Sequence, residues 1–248
     1  MSDVFLKAFH GGLGDSLQFS TLPEEFAKQK GRKTYIVPDA PFRNQEIYDL
    51  VWGKNPYVLG KKEGKWNAGD VPEIPYQEWV MEGKGAGCQI SNWEKFHGLE
   101  PKNKYPKIYY KPEIDEDVND VFIVDFSSIS IDYDKNALNN IFNEVKARYP
   151  DKRFLSVDFK RRLSDDKHNV YDLGFDGYIE IENVFRYCDL IASSYGILAL
   201  SSGASHLSVA LMEYAPNLKS ICVMPKTWYN RHKERGLFLF DTVEYLIY

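Results

Sequence analysis

A chain of 248 residues can bury one large core or two of about 110 to 130 residues. Its formal charge of −5, with 27% charged residues, excludes a broad basic surface for nucleic acid. No apolar run approaches the length that crosses a bilayer, the first residues carry no signal-peptide pattern, and Cys88, Cys188 and Cys222 share no metal-ligand spacing, so the expectation is a cytoplasmic protein with no resident metal.

Strand-like and helix-like segments alternate, the pattern of a parallel α/β sheet. Residues 4–9 read as a first strand, 16–30 as a helix stopped by Gly31, and 34–37 as a second strand. Pro38 and Pro41 interrupt the chain before a short helical patch over 44–51. Residues 53–112 are rich in glycine and proline, and only short helices over 76–81 and 91–97 emerge there. A polar, acidic stretch over 111–120 reads as a linker, which divides the chain into residues 1–112 and 113–248. Beyond it come a strand over 121–126, a helix over 134–149 closed by Pro150, and a strand over 153–157. A helix over 181–187, a strand over 189–193, a helix from Ile197 or Ser202 to Tyr214, and a strand over 219–224 complete the pattern. Two such units are expected to place a ligand cleft between them.

Two stretches carry chemistry. The first strand breaks into His10-Gly11-Gly12-Leu13-Gly14-Asp15-Ser16-Leu17, a turn in which a ligand can approach the backbone closely. Asp15 brings a carboxylate into the same space, and His10 borders it. Leu17 stands where the dinucleotide-binding fingerprint has its third glycine, and no Gly-Lys-Ser/Thr follows, so neither that fingerprint nor a P-loop is present. The second stretch runs from Arg186 through Ser193-Ser194-Tyr195-Gly196 to Ser201-Ser202-Gly203-Ala204-Ser205-His206. Small hydroxyl residues and glycine before an apolar helix suit a diphosphate. His206, one turn in, either reaches a phosphate or ribose or sits half-buried in an ordinary cap. Lys226 follows the last clear strand, either bordering the cleft or lying on a solvated loop.

The turn Gly11-Gly12-Leu13-Gly14-Asp15 resembles the N-terminal loop of the heptosyltransferase-like glycosyltransferases (family 9, GT-B fold). Cys188-Asp189-Leu190 followed by Ser202-Gly203-Ala204-Ser205-His206-Leu207-Ser208 resembles that family's donor-site motif, usually Asp-Ser/Thr-Gly-Pro-Met-His-Leu-Ala. Ser201 stands at the motif's acidic position, and Tyr195-Gly196 offers a second register seven residues earlier, with Ser194 before it.

The resemblance implies two Rossmann-like domains facing across a cleft and an inverting, metal-independent sugar transfer. It implies no cofactor beyond a nucleotide-diphosphate sugar as co-substrate, and a glycan or lipid-linked acceptor reached in the cytoplasm or at the inner face of the membrane. Asp15 would then be the general base, with Gly12, Leu13 and Gly14 presenting N–H groups to the donor phosphates. Ser202, Gly203 and His206 would hold the diphosphate, and Ser127 and Ser128 match in position the hydroxyl residues that contact phosphate. A non-catalytic nucleotide- or sugar-binding relative, or an epimerase, stays open beside it. A hydrolase lacks its Gly-x-Ser-x-Gly elbow.

Overall fold

The computed structural model describes residues 3–64, 71–85, 88–127, 133–159, 173–235, 237 and 239–248. The chain divides into two compact units, Met1–Tyr110 with Asn230–Phe240, and Lys111–Tyr229 with Asp241–Tyr248.

The first unit is built on three parallel strands in the order β1-β2-β3: β1 (Val4–Ala8), β2 (Thr34–Pro38) and β3 (Val58–Lys61). Helices α1 (Leu13–Leu17) and α2 (Leu22–Lys30) lie between the first two strands. A single helix over 16–30 was the expectation. Pro23 explains the break: it lacks an N–H to give and sits in the first turn of α2, where none is needed. Helix α3 (Gln45–Tyr48) widens into a π-type turn over Asp49–Gly53. Helix α4 (Tyr76–Trp79), extended by a similar turn over Val80–Lys84, and helix α5 (Gln89–Phe96) complete this part of the unit.

Buried carboxylates and aromatic rings hold it together. Glu94 of α5 is fully buried and accepts four hydrogen bonds: the Thr21 hydroxyl at 2.8 Å, the Asn103 side chain at 2.6 Å, and the backbone N–H groups of Lys102 at 2.7 Å and Asn103 at 3.1 Å. Glu24 takes hydrogen bonds from Lys107 and Tyr109, each at 2.8 Å, and pairs with Lys28. Burial works against its charge, but these three partners prevail and bring its pKa down to about 2. Trp93 stacks on Tyr76 with ring centroids 3.8 Å apart and packs against Phe19, Phe96 and His97. His97 is buried among these rings, and desolvation pushes its pKa down to about 4.

The second unit opens with a 3₁₀ turn over Glu116–Val118 and continues β4 (Val121–Asp125), α6 (Lys135–Arg148), β5 (Arg153–Phe159) and β6 (Gly177–Ile181). Then come α7 (Val184–Ser193), β7 (Gly196–Leu200), α8 (Gly203–Leu211), β8 (Lys219–Met224), α9 (Lys226–Arg235) and β9 (Glu244–Ile247). The division between the units falls inside α9. All six strands are parallel, in the order β6-β5-β4-β7-β8-β9. Numbered within the unit this is 3-2-1-4-5-6, the doubly wound order of dinucleotide-binding sheets. The two central strands, β4 and β7, are buried at every position, as expected for strands covered on both faces.

Three expectations for this unit change. Residues 189–193 end helix α7 and form no strand: Asn183 caps that helix, accepting from Phe185 N–H at 3.0 Å and Arg186 N–H at 2.9 Å. A short apolar run suits a buried helix as well as a strand, and here the cap decides. The strand accordingly starts later, at Gly196. The stretch 111–120 is no free linker either, because Glu113 N–H bonds the Asp189 carboxylate at 2.9 Å, Asp115 N–H bonds the Ser193 hydroxyl at 2.8 Å, and Arg186 pairs with Asp115. Finally, Asn230–Phe240 group with the first unit, where the sequence pattern had kept 113–248 together.

Candidate functional site

The turn after β1 is shaped by backbone. His10 and Gly11 are both left-handed, at φ 67° and 64°, a region that costs an L-residue about 1–2 kcal/mol. Contacts from the β2–α3 loop hold it there: Asp39 accepts from His10 N–H at 2.9 Å, and Arg43 N–H bonds the Gly11 carbonyl at 3.0 Å. A Cβ on Gly11 would stand 2.3 Å from the Pro41 carbonyl oxygen, so only glycine fits between the two loops.

Gly12 is the N-cap of α1, Leu13 and Gly14 follow, and Asp15 lies in its first turn, half-buried. A Cβ on Gly12 would lie 2.6 Å from Asp15 Oδ2 and 3.6 Å from the Arg43 guanidinium carbon, so carboxylate and guanidinium flank the same point. The other end of α1 is gripped by α5: Gln18 accepts from the Trp93 indole at 2.9 Å and from the Gln89 amide. The turn thus brings His10, Gly12, Leu13, Gly14 and Asp15 together. Arg43 and Gln18 join them without any sequence signal, because their role comes from contacts across the fold.

In the second unit, strand order reverses between β4 and β7, and ligands of open α/β sheets bind at the carboxyl ends of such strands. Register pairs Asp125 with Ala199, so the turns that begin at Phe126 and Ser201 leave the sheet side by side. Ser202 caps α8, accepting from Ala204 N–H at 3.3 Å, and Gly203 is the first helical residue. The Ser202 carbonyl receives the Ser205 hydroxyl at 2.8 Å and His206 Nδ1 at 2.8 Å. A carbonyl only accepts, so His206 Nδ1 carries a proton here.

Ser127 stands at the end of β4, and both its donors turn to Asp125: the N–H to Oδ1 at 3.0 Å, and the hydroxyl to the same oxygen. Ser128 lies outside the described residues. Lys226 opens α9 just beyond the carboxyl end of β8, its N–H on the Tyr248 carbonyl at 2.7 Å and its side chain exposed.

Ser194, Tyr195 and Gly196 sit at the opposite, amino end of β7, which removes the earlier register of the motif from this turn. Their roles there are visible. The Ser194 hydroxyl bonds the Ile191 carbonyl at 2.9 Å, and the Tyr195 ring packs on Phe122. Gly196 leaves room for a close strand approach, since a Cβ would stand 2.5 Å from the Phe122 ring and 2.8 Å from the Lys219 carbonyl oxygen.

Three solved structures share this architecture. The iron-containing dodecameric glycosyltransferase TibC of enterotoxigenic E. coli H10407 superposes with a TM-score of 0.63 at 14% identity, over 98% of this chain and 62% of that one. This chain therefore spans less than two thirds of TibC. E. coli heptosyltransferase WaaC, solved with ADP, gives 0.62 at 10% identity over 100% of this chain and 93% of WaaC. A family 9 glycosyl transferase from Veillonella parvula DSM 2008 gives 0.55 at 8% identity over 99% and 85% of the two chains.

The fold is GT-B-like. At these identities the likeness establishes fold alone. No family model and no curated protein sequence matches the chain. Among the described residues, no group of three or more His, Cys, Asp and Glu is arranged to hold a metal ion, and no helix is long and apolar enough to cross a membrane.

Proposed function

We propose that the chain is a glycosyltransferase that moves a sugar from a nucleoside-diphosphate donor to a hydroxyl of a glycan or lipid-linked acceptor. The proposal includes inversion at the anomeric carbon, no metal, and a cytoplasmic site of action that extends to the inner membrane face for a lipid-linked acceptor. The observation that carries it is the switch point of the six-stranded sheet, where the Ser202-capped start of α8 and the start of the turn after β4 leave paired neighbouring strands. The heptosyltransferase-like fold supports the same reading.

In the proposed reaction Asp15 accepts the proton of the acceptor hydroxyl as its oxygen attacks the anomeric carbon. The bond from that carbon to the diphosphate breaks, and the diphosphate leaves with the electron pair. Its growing charge needs donors already in place. The Ser202 hydroxyl, the N–H groups at the start of α8 and His206 supply them. A carboxylate is a far weaker base than an alkoxide, so proton transfer comes late, as charge develops.

The test is thermal unfolding with UDP, GDP, ADP, CMP and TDP, without metal and then with Mg²⁺. ADP comes first, because WaaC was solved with it and TibC with ADP-heptose. Ligand at a hundred times its dissociation constant stabilises by about 2.7 kcal/mol, and at about 2–4 °C per kcal/mol for a chain of this size the expected rise in Tm is about 5–11 °C. A shift from no nucleotide ends the proposal. With a donor in hand, Asp15→Asn is expected to cut turnover by about a hundredfold or more while nucleotide binding holds. Unchanged turnover removes Asp15 as the base.

A further inference from the structure

At the carboxyl end of β4 three hydroxyl- and carboxyl-bearing side chains form one hydrogen-bonded chain. Asp125 is 4% exposed and ends the strand at the switch point. Its Oδ1 receives both the N–H and the hydroxyl of Ser127, and its Oδ2 receives the Tyr187 hydroxyl at 2.7 Å. Tyr187 comes from α7 and is 2% exposed. Burial, and then the adjacent Asp125 charge, raise its phenol well above the ordinary range, so it stays protonated and donating.

Each hydroxyl has one proton. With that proton and its N–H both turned to Asp125, Ser127 has only lone pairs to offer a ligand. A diphosphate oxygen is itself an acceptor and carries negative charge. Set against those lone pairs, with a carboxylate behind them, it meets repulsion. A sugar hydroxyl is a donor and fits.

We infer that Asp125 and Tyr187 orient Ser127 as a hydrogen-bond acceptor for a hydroxyl of the donor substrate, on its ribose or on its transferred sugar, and that the diphosphate is left to the start of α8. The inference rests on the nucleotide-sugar reading above and assigns this turn the opposite role from the phosphate contact expected of it. Ser127 is the contacting residue; Asp125 and Tyr187 are positioning residues.

The test is calorimetric titration of the full chain with ADP, 2′-deoxy-ADP, ADP-heptose and inorganic pyrophosphate. Ser127→Ala is expected to lower ADP affinity about tenfold, the effect of one hydrogen bond to a buried partner, and to leave pyrophosphate within twofold. The loss vanishes with 2′-deoxy-ADP if the 2′-hydroxyl is the group bound. A loss confined to ADP-heptose assigns the contact to the transferred sugar.

Asp125→Asn gives the sharper signature. It removes the charge and leaves only a neutral amide oxygen to compete for the Ser127 proton, so pyrophosphate affinity rises severalfold as ADP or ADP-heptose affinity falls. A role in folding alone would move both the same way. Tyr187→Phe keeps the ring in the core and the Asp125 charge in place, so pyrophosphate affinity is expected not to rise, while ADP or ADP-heptose affinity falls by less than in Ser127→Ala. Equal losses for pyrophosphate and ADP in Ser127→Ala, or no loss for any probe, overturn the inference with the nucleotide reading intact. A wild type that binds neither ADP nor ADP-heptose overturns both.

Discussion

The two units solve the same problem, covering a parallel sheet, by different means. The second does so with apolar side chains: Phe122, Phe142, Phe154, Leu138, Leu198 and Val223 form one buried cluster through the centre of the sheet. The first relies on charges and rings, with Glu94 satisfied by four donors, Glu24 tied to two lysines and a tyrosine, and Trp93 at the hub of an aromatic stack. An apolar core such as that of the second unit depends little on pH. A core built on buried charges, such as that of the first unit, depends on it through every buried titratable group.

Acid should therefore separate them, and by the largest effect. His97 titrates near 4 when folded and near 6.5 as a free side chain. Its depressed value means the unfolded chain takes the proton first, so stability present above pH 6.5 is lost as the pH falls to 4. Glu24, at about 2 against 4.5, contributes stability above pH 4.5 that is lost as the pH falls toward 2. Each is worth on the order of 3 kcal/mol. Hydrogen exchange across an acid titration should show the first unit opening ahead of β4 and β7. Simultaneous opening would contradict the contrast.

Glu94→Gln tests the polar network directly. The amide places an N–H₂ group against donors that now find an oxygen, and about 2–3 kcal/mol should be lost in denaturant unfolding, chiefly from the first unit. Gly196→Ala is the corresponding probe of the apolar unit. The new methyl meets the Phe122 ring and the Lys219 carbonyl, and overpacking should cost about 2 kcal/mol. The smallest effect is a gain. His10→Gly relieves a left-handed L-residue and should stabilise the fold by about 0.5–1 kcal/mol, read as a small rise in Tm.

The same contrast decides what could be read from sequence. In the second unit, helix α6 follows from apolar residues at helical spacing between Asp134 and Pro150, and β4 and β8 from short apolar runs. Local pattern and tertiary role agree there. The failure at 189–193 came where apolar residues satisfy two patterns at once and the side-chain cap of Asn183 settles the matter. In the first unit residues 88–110 are tied to the rest of the unit by long-range hydrogen bonds, such as Thr21 to Glu94 across 73 positions. No local window contains both partners. Asp15 and the glycine turn stood out because strand, glycine and acid are neighbours in the chain. Arg43, Gln18 and Tyr187 reach their sites only through folding.

The excursion of Asn230–Phe240 into the first unit, followed by the return of Asp241–Tyr248 to the second, has a consequence for manipulation. The chain passes between the units three times, so neither corresponds to a contiguous gene fragment. A cut after Tyr110 would leave residues 230–240 on the wrong piece. It would separate Tyr105 from Phe240, whose rings meet within the first unit at 6.4 Å. Expressing one half alone requires grafting that eleven-residue stretch back on, or rearranging the order of the segments altogether.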